Sequence, residues 1–454
     1  MYRIGSGAGF SGDRVDAPQS VVASIAAAGQ GGAIIFETLG ERTLALGQIA
    51  RKHHPERGYE PLLEDLLEPI LAQCVTHGIV IVGNFGQANP PAAAAVIQTM
   101  AARLELGTLR IAVVEGDDLT GRIDLDQTER WDGDGRLPEI EGDVIAVNAY
   151  LGAAPIAEAI RAGAQVVVTG RVADPALVLG PLVAHFDWSW DDLDRIAAGT
   201  LAGHLLECGS QVSGGFFADP GFKDVPGTAD IGFPIAEVEA DGSFVITKAE
   251  GTGGVVDLRT VKEQLLYEIH DPAAYLTPDV TLDVTGVELA QDGPNRVRVT
   301  GARGHAAPPR LKATVSLYGD WLGEAEISYA GPNALARARL AITTINERIR
   351  MRQLGVRHRA DVIGAVSAFD SDEGDLLVDY EDEAPGDYRV RFAFGGNSQR
   401  AVEQAVQEVN ALYCCGPAGG GGVRQSVRPR VRTISHMVPR DLVEARYRFA
   451  EHHP

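Results

Sequence analysis

The sequence predicts an α/β protein: an N-terminal open parallel sheet, doubly wound and Rossmann-like, followed by a second, mixed α/β lobe. Up to about residue 230, short apolar runs alternate with helical segments, which is the pattern of βαβ units. The runs are apolar on both faces, as buried parallel strands are. From residue 231 onward, hairpin signals replace this pattern. We therefore predict one domain at 1–230 and another at 231–454. A TIM-like barrel is the alternative, but too few strands precede the change.

A glycine-rich stretch, RIGSGAGFSGDR, occupies residues 3–14. It follows the first predicted strand and precedes an Ala/Val-rich helix. An open α/β sheet binds its ligand at such a point, outside the carboxyl ends of the strands and against a helix N-terminus. Glycine lets the backbone approach a ligand closely. We expect the following residues to face a ligand: Gly7, Gly9, Gly12, Asp13 and Arg14.

The other elements of the first domain follow in order. Strands are predicted at 31–36, 78–82, 109–114, 144–147 and 164–168. Helices are predicted at 17–28, 41–51, 61–74, 91–104, 154–162 and 175–185. Residues 119–142, which are rich in Asp, Gly and Arg, interrupt the series. We interpret them as an excursion, a hairpin or lid over the strand edge.

Polar side chains follow each predicted strand. Because parallel strands end at one edge of a sheet, these side chains are expected to converge. They are Asp13, Arg14, Glu37, Arg42, Asn84, Asn89, Glu115, Asp117, Asn148, Arg171 and Asp174. Some also have a local explanation, since Asp174 before Pro175 suits a helix cap and Asn89 before Pro90 suits a turn.

A helix predicted at 191–208 carries a second group of reactive side chains. His204 and Cys208 are four residues apart and share a face, with Glu207 beside them. They could form an acid/base or nucleophile cluster, or be a buried cysteine and a capping histidine. The loop after them, with Gly214, is predicted to be flexible or to lie against a ligand.

The second domain begins with a hairpin at 234–239 and 244–248, joined by an Asp-Gly turn. A glycine-rich loop with Lys248 and Gly253 follows. Helices are predicted at 261–269, 333–350 and 399–412, and strands at 361–365, 388–394 and 428–434. The run CCGPAGGGGVRQ around Gly420 is either a backbone nest for an anion or a surface loop. It lacks the Lys-Ser/Thr of a P-loop, which argues against ATP binding.

Composition excludes several classes of function. The net charge is −22, from 62 acidic and 40 basic residues, so the surface repels nucleic acid and anionic lipid. No apolar run reaches the ~20 residues that span a bilayer, and no secretory signal is visible. The four cysteines show no CxxC metal or disulfide framework. We predict a cytoplasmic protein that binds a small molecule and forms a homo-oligomer, without nucleic-acid or membrane partners.

Carboxylates beside arginine and asparagine suit proton abstraction next to a carboxylate, which needs a base, an acid and a group that stabilises an enolate. The predicted acid/base residues are Asp13, Glu37, Glu115, Asp117 and, as second choice, His204. The predicted substrate-binding residues are Arg14, Arg42, Asn84, Asn89, Asn148, Arg171, Asp174 and Lys248. No metal ligand is assigned and the cofactor stays open. A divalent ion is the candidate, since the acids at 115–118 offer hard oxygens for Mg²⁺.

The first glycine stretch also allows a different function. It is similar to a dinucleotide-binding loop, and Glu37 could serve as the acidic residue that follows such a loop. Gly7, Gly9 and Gly12 have GxGxxG spacing, but a glycine pattern of this kind on its own is weak evidence. An NAD(P)- or nucleotide-dependent oxidoreductase is therefore an alternative hypothesis.

A set of motifs in fixed order resembles the AtuA family, named for acyclic terpene utilisation. The motifs are RIGSGAGFSGDR, ETLGERTLAL, VVEGDDL, VVVTGRVADPALVLGPL, GHLLECGSQVSGG, GFPIAEV, ITKAEGTGG, TVKEQLLYEI, GARG and GPAGGGG. The resemblance covers nearly the whole chain. It implies a catabolic enzyme of branched or acyclic, terpenoid-like acids that acts on a carboxylate or acyl-CoA. The resemblance does not supply a reaction. The carboxylates beside arginine and asparagine at the sheet edge favour hydration, elimination or isomerisation, of the lyase, hydratase or isomerase type.

Two features depart from the family pattern. The third loop reads NFGQANP, where the family suggests NAGGxNP, so Phe85 and Gln87 are expected to narrow or re-polarise the pocket. Longer members carry a small C-terminal domain of about a hundred residues, whereas this sequence ends at Pro454. The equivalent piece could be a separate small partner protein, and a non-catalytic subunit that needs such a partner is a further alternative.

Overall fold

The computed structural model describes residues 1–125, 128–131, 143–368, 370–381 and 386–451. Contacts divide the chain into two units. The first comprises Met1–Glu139, Val144–Ser316 and Thr433–Pro454, and the second Ile140–Asp143 and Leu317–Arg432. The predicted boundary at 230/231 falls inside the first unit. Most of the excursion predicted at 119–142 lies outside the described residues.

The elements are as follows. The strands are β1 (Tyr2–Ala8), β2 (Gly32–Phe36), β3 (Ile79–Gly83), β4 (Ile111–Glu115), β5 (Glu129–Arg130), β6 (Val144–Ala149), β7 (Val166–Thr169), β8 (Pro234–Val238), β9 (Phe244–Lys248), β10 (Tyr275–Leu276), β11 (Thr281–Asp283), β12 (Glu288–Gln291), β13 (Val297–Thr300), β14 (Arg303–His305), β15 (Arg310–Gly331), β16 (Arg357–Ile363), β17 (Gly386–Gly396), β18 (Gly421–Pro439) and β19 (Arg446–Phe449). The helices are α1 (Ala17–Ala27), α2 (Glu41–His53), α3 (Leu63–His77), α4 (Pro90–Arg103), α5 (Ala154–Arg161), α6 (Ala176–Phe186), α7 (Leu193–Glu207), α8 (Leu258–Leu266), α9 (Ala334–Met351), α10 (Asp375–Asp379) and α11 (Gln399–Cys415).

The first unit contains a mixed sheet, in which ten of the described strands run in the order β12-β13-β9-β8-β1-β2-β3-β7-β4-β19. Its middle, β1-β2-β3-β7-β4, is parallel. The flanking strands pair antiparallel. The uninterrupted apolar runs thus form buried parallel strands, as predicted. The Rossmann-like winding stays a prediction.

One predicted member of the parallel series is placed elsewhere. The segment at 144–147 is a strand, β6, but it pairs with β15 and not with the large sheet. Tyr150 N–H donates to the Lys312 carbonyl at 2.8 Å just beyond β6. Apolar content identified the strand, whereas its partner depends on a segment more than 150 residues away.

Helices cover both faces of this sheet. On one face α1, α3 and α4 pack against alternate strand residues such as Ile34, Ile81 and Val113. On the other face α5, α6 and α7 cover the intervening positions, such as Ile35 and Val82. Two apolar cores therefore enclose the parallel strands, as alternation of side chains across a strand requires.

The predicted hairpin explains why the first unit extends past residue 230. β8 and β9 pair antiparallel around the Asp241-Gly242 turn, and β8 also pairs with β1. The hairpin therefore continues the large sheet. A second sheet of the same unit has the order β10-β11-β14.

The second unit is an antiparallel sheet with helices on one face. β16 pairs with β17, and β17 pairs with β15 over Trp321–Gly331. Phe392 and Phe394 of β17 pack against α9 and α11. The helices predicted at 333–350 and 399–412 match α9 and α11 closely. Gly421 and Gly422, predicted as loop, begin β18.

Candidate functional site

A cavity of about 730 Å³ lies in the first unit. The loops after β1, β2 and β7 form part of its wall through Asp13, Glu37 and Asp174. The end of α7 and the segments 267–278 and 308–312 form the rest. The carboxyl edge of the parallel strands thus carries this cavity, as open α/β sheets do.

Glu37 is a buried acid in this wall. Its Oε1 accepts hydrogen bonds from Asn84 Nδ2 at 2.9 Å and from Leu39 N–H at 2.8 Å. Burial, and next the Asp174 carboxylate, raise the pKa of Glu37 well above its ordinary value, although the Arg171 charge and these donors favour the anion. Glu37 can therefore hold or release a proton near neutral pH.

Arg171 is fully buried beside Glu37. Its guanidinium donates to the carbonyl oxygens of Leu39 and Val172, forms an ion pair with Asp174, and lies 4.3 Å from the centre of the Tyr150 ring. Most of its N–H donors are thus used by the protein. Arg171 positions the loops and supplies positive charge, but few donors remain for a substrate.

Glu41, Tyr150 and Lys312 form a second polar group in the wall. Glu41 Oε1 accepts from Tyr150 Oη at 2.6 Å and from Lys312 Nζ at 3.1 Å. Burial raises the pKa of Glu41, but the Lys312 charge and the Tyr150 hydrogen bond outweigh it and lower that pKa to about 2. Glu41 is a carboxylate, and the remaining Nζ protons of Lys312 can bind an anion.

His204 and Glu207 form a buried pair at the end of α7. His204 Nδ1 lies 3.0 Å from Glu207 Oε1, and His204 Nε2 lies 3.0 Å from the Gln264 carbonyl oxygen. Burial raises the pKa of Glu207, although His204 favours its anion. Glu207 lines the cavity, whereas His204 lies behind it.

A model of the AtuA family, described as acyclic terpene utilisation family protein AtuA, matches residues 2–449. The chain belongs to the AtuA family. Membership implies a part in acyclic terpene utilisation without naming a reaction. No curated protein matches the sequence. Among the described residues of this AtuA-family chain, none of the helices has the length and apolar character needed to cross a bilayer.

Of the predicted site residues of this AtuA-family chain, four side chains line the cavity: Asp13, Glu37, Arg171 and Asp174. Asp13 also holds its own loop, since its carboxylate accepts from the backbone N–H groups of Gly9 and Arg14, each at 2.8 Å. Burial raises the pKa of Asp13.

Other predicted residues lie behind the wall and position it. Asp117 Oδ2 accepts from Arg171 N–H at 3.1 Å and from Asn148 Nδ2 at 2.8 Å. Burial raises the pKa of Asp117 to about 6. Asn84 ties Glu37 to the neighbouring strand end. These residues act through the groups they hold, as supporting residues of active sites do.

A third set does not line the cavity. Arg14 pairs with Asp16 and Asp230, Asn89 donates to the carbonyl oxygens of Pro55 and Arg57, Lys248 donates to the Thr252 carbonyl, Glu115 pairs with Arg448, and Arg42 is exposed. The positions of these side chains therefore do not support the prediction that they contact a substrate in this cavity. Apart from Arg42, each makes a local or packing interaction instead.

The glycines of the first stretch are explained by packing. A Cβ on Gly7 would clash with the Phe36 ring, and one on Gly9 would clash with the backbone at Cys208. Gly12 has φ +96°, which favours glycine. The first two are required by neighbouring protein groups, so they have an explanation that needs no dinucleotide phosphate. Of the three, Gly9 lines the cavity, as predicted, whereas Gly7 and Gly12 do not.

The other glycine positions lie outside the cavity wall. Gly214 has φ +107°, and Gly253 packs against the Gly227 backbone. Gly420 belongs to the second unit and packs against Ile327 and Tyr329. A role for Gly420 in a ligand nest therefore gains no support.

The departures at the third loop do not reshape the cavity. Phe85 is buried against the Phe36 ring, with ring centres 5.9 Å apart. Gln87 Nε2 donates to Glu60 Oε2 at 3.0 Å. Neither side chain lines the cavity, so the expected narrowing of the pocket does not follow from them.

A metal site is not apparent in the described part of the chain, where no three His, Cys, Asp or Glu side chains gather into a group. The acids at 115–118 do not converge, because Glu115 pairs with Arg448 while Asp117 turns inward to Asn148.

Sequence reasoning missed several residues of the wall: Glu41, Tyr150, Tyr267, Glu268, Tyr275 and Lys312. Glu41 begins α2 and Tyr150 follows β6, so both stand close to strand ends and the edge rule could have included them. Glu207, predicted in a cluster with His204 and Cys208, lines the cavity. Lys312 has no local signal, since β15 brings it to the site.

Proposed function

We propose that this protein is a catabolic enzyme of branched or acyclic, terpenoid-like acids. It adds water to a double bond, removes water, or moves the double bond, in a carboxylate or its acyl-CoA thioester. The observation that carries the proposal is the pair of buried acids with raised pKa, Glu37 and Glu207, in the wall of one cavity that also holds Lys312. Such chemistry needs an acid, a base and a cation near the developing enolate.

In this proposal, Glu37 transfers the proton to or from the carbon next to the carbonyl group. Its pKa is raised chiefly by burial, so it can give a proton to an enolate carbon or remove one near neutral pH. Lys312 binds the carboxylate or thioester oxygen of the substrate, because its ammonium group has N–H donors that are not used by the hydrogen bond to Glu41. Arg171 supplies charge, and its loop is held by Asp117.

Exposed aromatic side chains in the cavity wall support an apolar acyl group. Phe10, Trp131 and Phe216 line the cavity and are each more than half exposed. Large exposed aromatic rings are costly in water and are typical of binding sites for apolar groups. A branched hydrocarbon chain would cover them while its polar end meets Lys312.

The test is a screen of branched enoyl and β-hydroxyacyl CoA thioesters and their free acids, by thermal shift and by turnover. NAD(P) and FAD are included as competitors. Turnover of a thioester or acid that is lost in Glu37→Gln supports the proposal. A shift confined to NAD(P) would favour an oxidoreductase instead. Turnover that appears only with a co-purified small protein would favour a subunit that needs a partner.

A further inference from the structure

The His204–Glu207 pair carries a defined proton. The Gln264 carbonyl oxygen can only accept, so His204 Nε2 must be protonated across its 3.0 Å contact. The 3.0 Å contact between Nδ1 and Glu207 Oε1 then needs one further proton between the two atoms. Without it, a nitrogen lone pair would face a carboxylate in a buried place, which is strongly unfavourable.

The shared proton can lie on either atom, and the total charge of the His204–Glu207 pair is the same in both cases. The pair is either imidazolium with carboxylate or neutral imidazole with carboxylic acid, and both are neutral overall. A pair of this kind can take a proton on the glutamate while the shared proton stays on the histidine. His204 therefore positions Glu207 and stabilises its anion.

The second oxygen of Glu207 is available for a ligand. Oε2 is buried, and no described residue gives it a hydrogen bond. Glu207 is 8% exposed and lines the cavity. A buried oxygen without a donor is costly, and a hydroxyl group or water in the cavity would supply that donor.

The groups around the pair set its acidity. Asp174 after β7 and Glu268 after α8 are negative neighbours. Tyr275 of β10 lies with its ring centre 5.4 Å from that of His204, and Cys208 follows α7. Asp174 and Glu268 favour a protonated pair, and none of the four residues donates a hydrogen bond to Oε2 in the described contacts.

We propose that Glu207, positioned by His204, is the base that activates water, and that the substrates are β-hydroxy acids or thioesters and their enoyl counterparts. This inference rests on the proposed function. In hydration, Oε2 takes one proton from water while the water oxygen bonds to the β-carbon. The π electrons move to the α-carbon and carbonyl as an enolate, and Glu37 protonates the α-carbon. In dehydration, Glu37 removes the α-proton, the electrons of that C–H bond form the double bond, and the proton on Glu207 leaves with the hydroxyl group as water. After either reaction Glu37 and Glu207 return to their starting protonation states by proton exchange with water.

Binding of two probes tests the contact. β-Hydroxyisovalerate and isovalerate differ only by one hydroxyl group, and calorimetry measures both dissociation constants. We expect wild type to bind the hydroxy acid about tenfold more tightly. Glu207→Gln keeps an acceptor oxygen and a donor for Nδ1, so it keeps the preference. Glu207→Leu loses it. The inference would be overturned if wild type bound the two probes with equal affinity, or if Glu207→Leu still preferred the hydroxy acid.

Turnover tests the proton transfer. Glu207→Gln is expected to lower kcat by at least about a hundredfold while its binding preference remains. His204→Gln is expected to move the acid limb of the kcat/KM profile and to leave isovalerate binding unchanged. Unaltered kcat in Glu207→Gln removes the base role but leaves the proposed function standing. Absence of turnover in wild type with every thioester and acid removes both.

Discussion

Glu37 and Glu408 expose similarly small fractions of their surface, 8% and 7%, but Glu37 is enclosed by the first unit whereas Glu408 lies close to the surface, and their pKa values move in opposite directions. Glu37, in the first unit, has the neutral Asn84 amide as a donor, and burial raises its pKa. Glu408, in the second unit, accepts from the guanidinium groups of Arg348 and Arg352, which lower its pKa. The depth of burial and the charge of the hydrogen-bond donors together decide whether such an acid keeps a proton.

The comparison separates an acid suited to chemistry from an acid that joins helices. Glu408 connects α11 to α9 through full charge pairing, and its proton is lost at neutral pH. Glu37 also has an arginine nearby, but the ion pair with Asp174 already engages Arg171. The first unit thus leaves its buried acid with a proton that can move.

The largest expected effect is on Glu37. Glu37→Gln keeps the size and an acceptor for Asn84 but cannot exchange a proton. We expect kcat on an identified substrate to fall by about 10²- to 10⁴-fold, with little change in thermal midpoint. Glu408→Gln is the matched control and should retain full kcat. Equal loss in both variants would remove the distinction between the two acids.

Asp117 provides a pH test of the same idea. Its folded pKa, raised by burial to about 6, exceeds its unfolded value, so its contribution to stability is full below the unfolded pKa and is lost as pH rises through about 6. As pH rises from about 4 to about 7, the free energy of unfolding of Asp117→Asn should therefore increase by about 2–3 kcal/mol relative to that of wild type. Urea unfolding at several pH values measures this. If the difference in unfolding free energy between variant and wild type stayed constant across that range, ionisation of Asp117 would not destabilise the folded protein.

Lys312 tests the charged part of the wall. Lys312→Met removes the charge that lowers the pKa of Glu41 most, while the Tyr150 hydrogen bond and the Arg171 charge remain, so the pKa of Glu41 should rise from about 2. We expect KM for an acid substrate to rise about tenfold, since an anion loses its cation. Lys312→Arg restores the charge and should recover most of the affinity. Unchanged KM in Lys312→Met would place the anion elsewhere.

The smallest expected effect is on the stability of the second unit. Glu408→Gln should lower the free energy of unfolding by about 1 kcal/mol at neutral pH, because both arginines are partly exposed. The folded pKa of Glu408 is lowered, so its contribution is present above the unfolded pKa and is lost as pH falls through the folded pKa. Denaturant unfolding of variant and wild type should therefore converge in acid. A gap that persists there would contradict ion pairing as the cause.

Much of the architecture follows from local sequence. Runs such as GAIIF and IVIVG can only be strands buried on both faces, and the Asp241-Gly242 turn predicts its hairpin. The rule that parallel strands share an edge predicts that Asp13, Glu37 and Asp174 lie close together, and all three line the cavity. Family membership follows from ordered motifs over the whole chain.

Other features were decided only by tertiary structure. The strand β6 at 144–149 pairs with β15. Lys312, which lies on β15, is part of the cavity wall. Gly9 is required by the close approach of the backbone at Cys208, about 200 residues along the chain. Local sequence determined the elements because apolar periodicity acts over a few residues. Pairing, burial and charge partners join residues more than a hundred positions apart, and these set which acids of the cavity keep their protons.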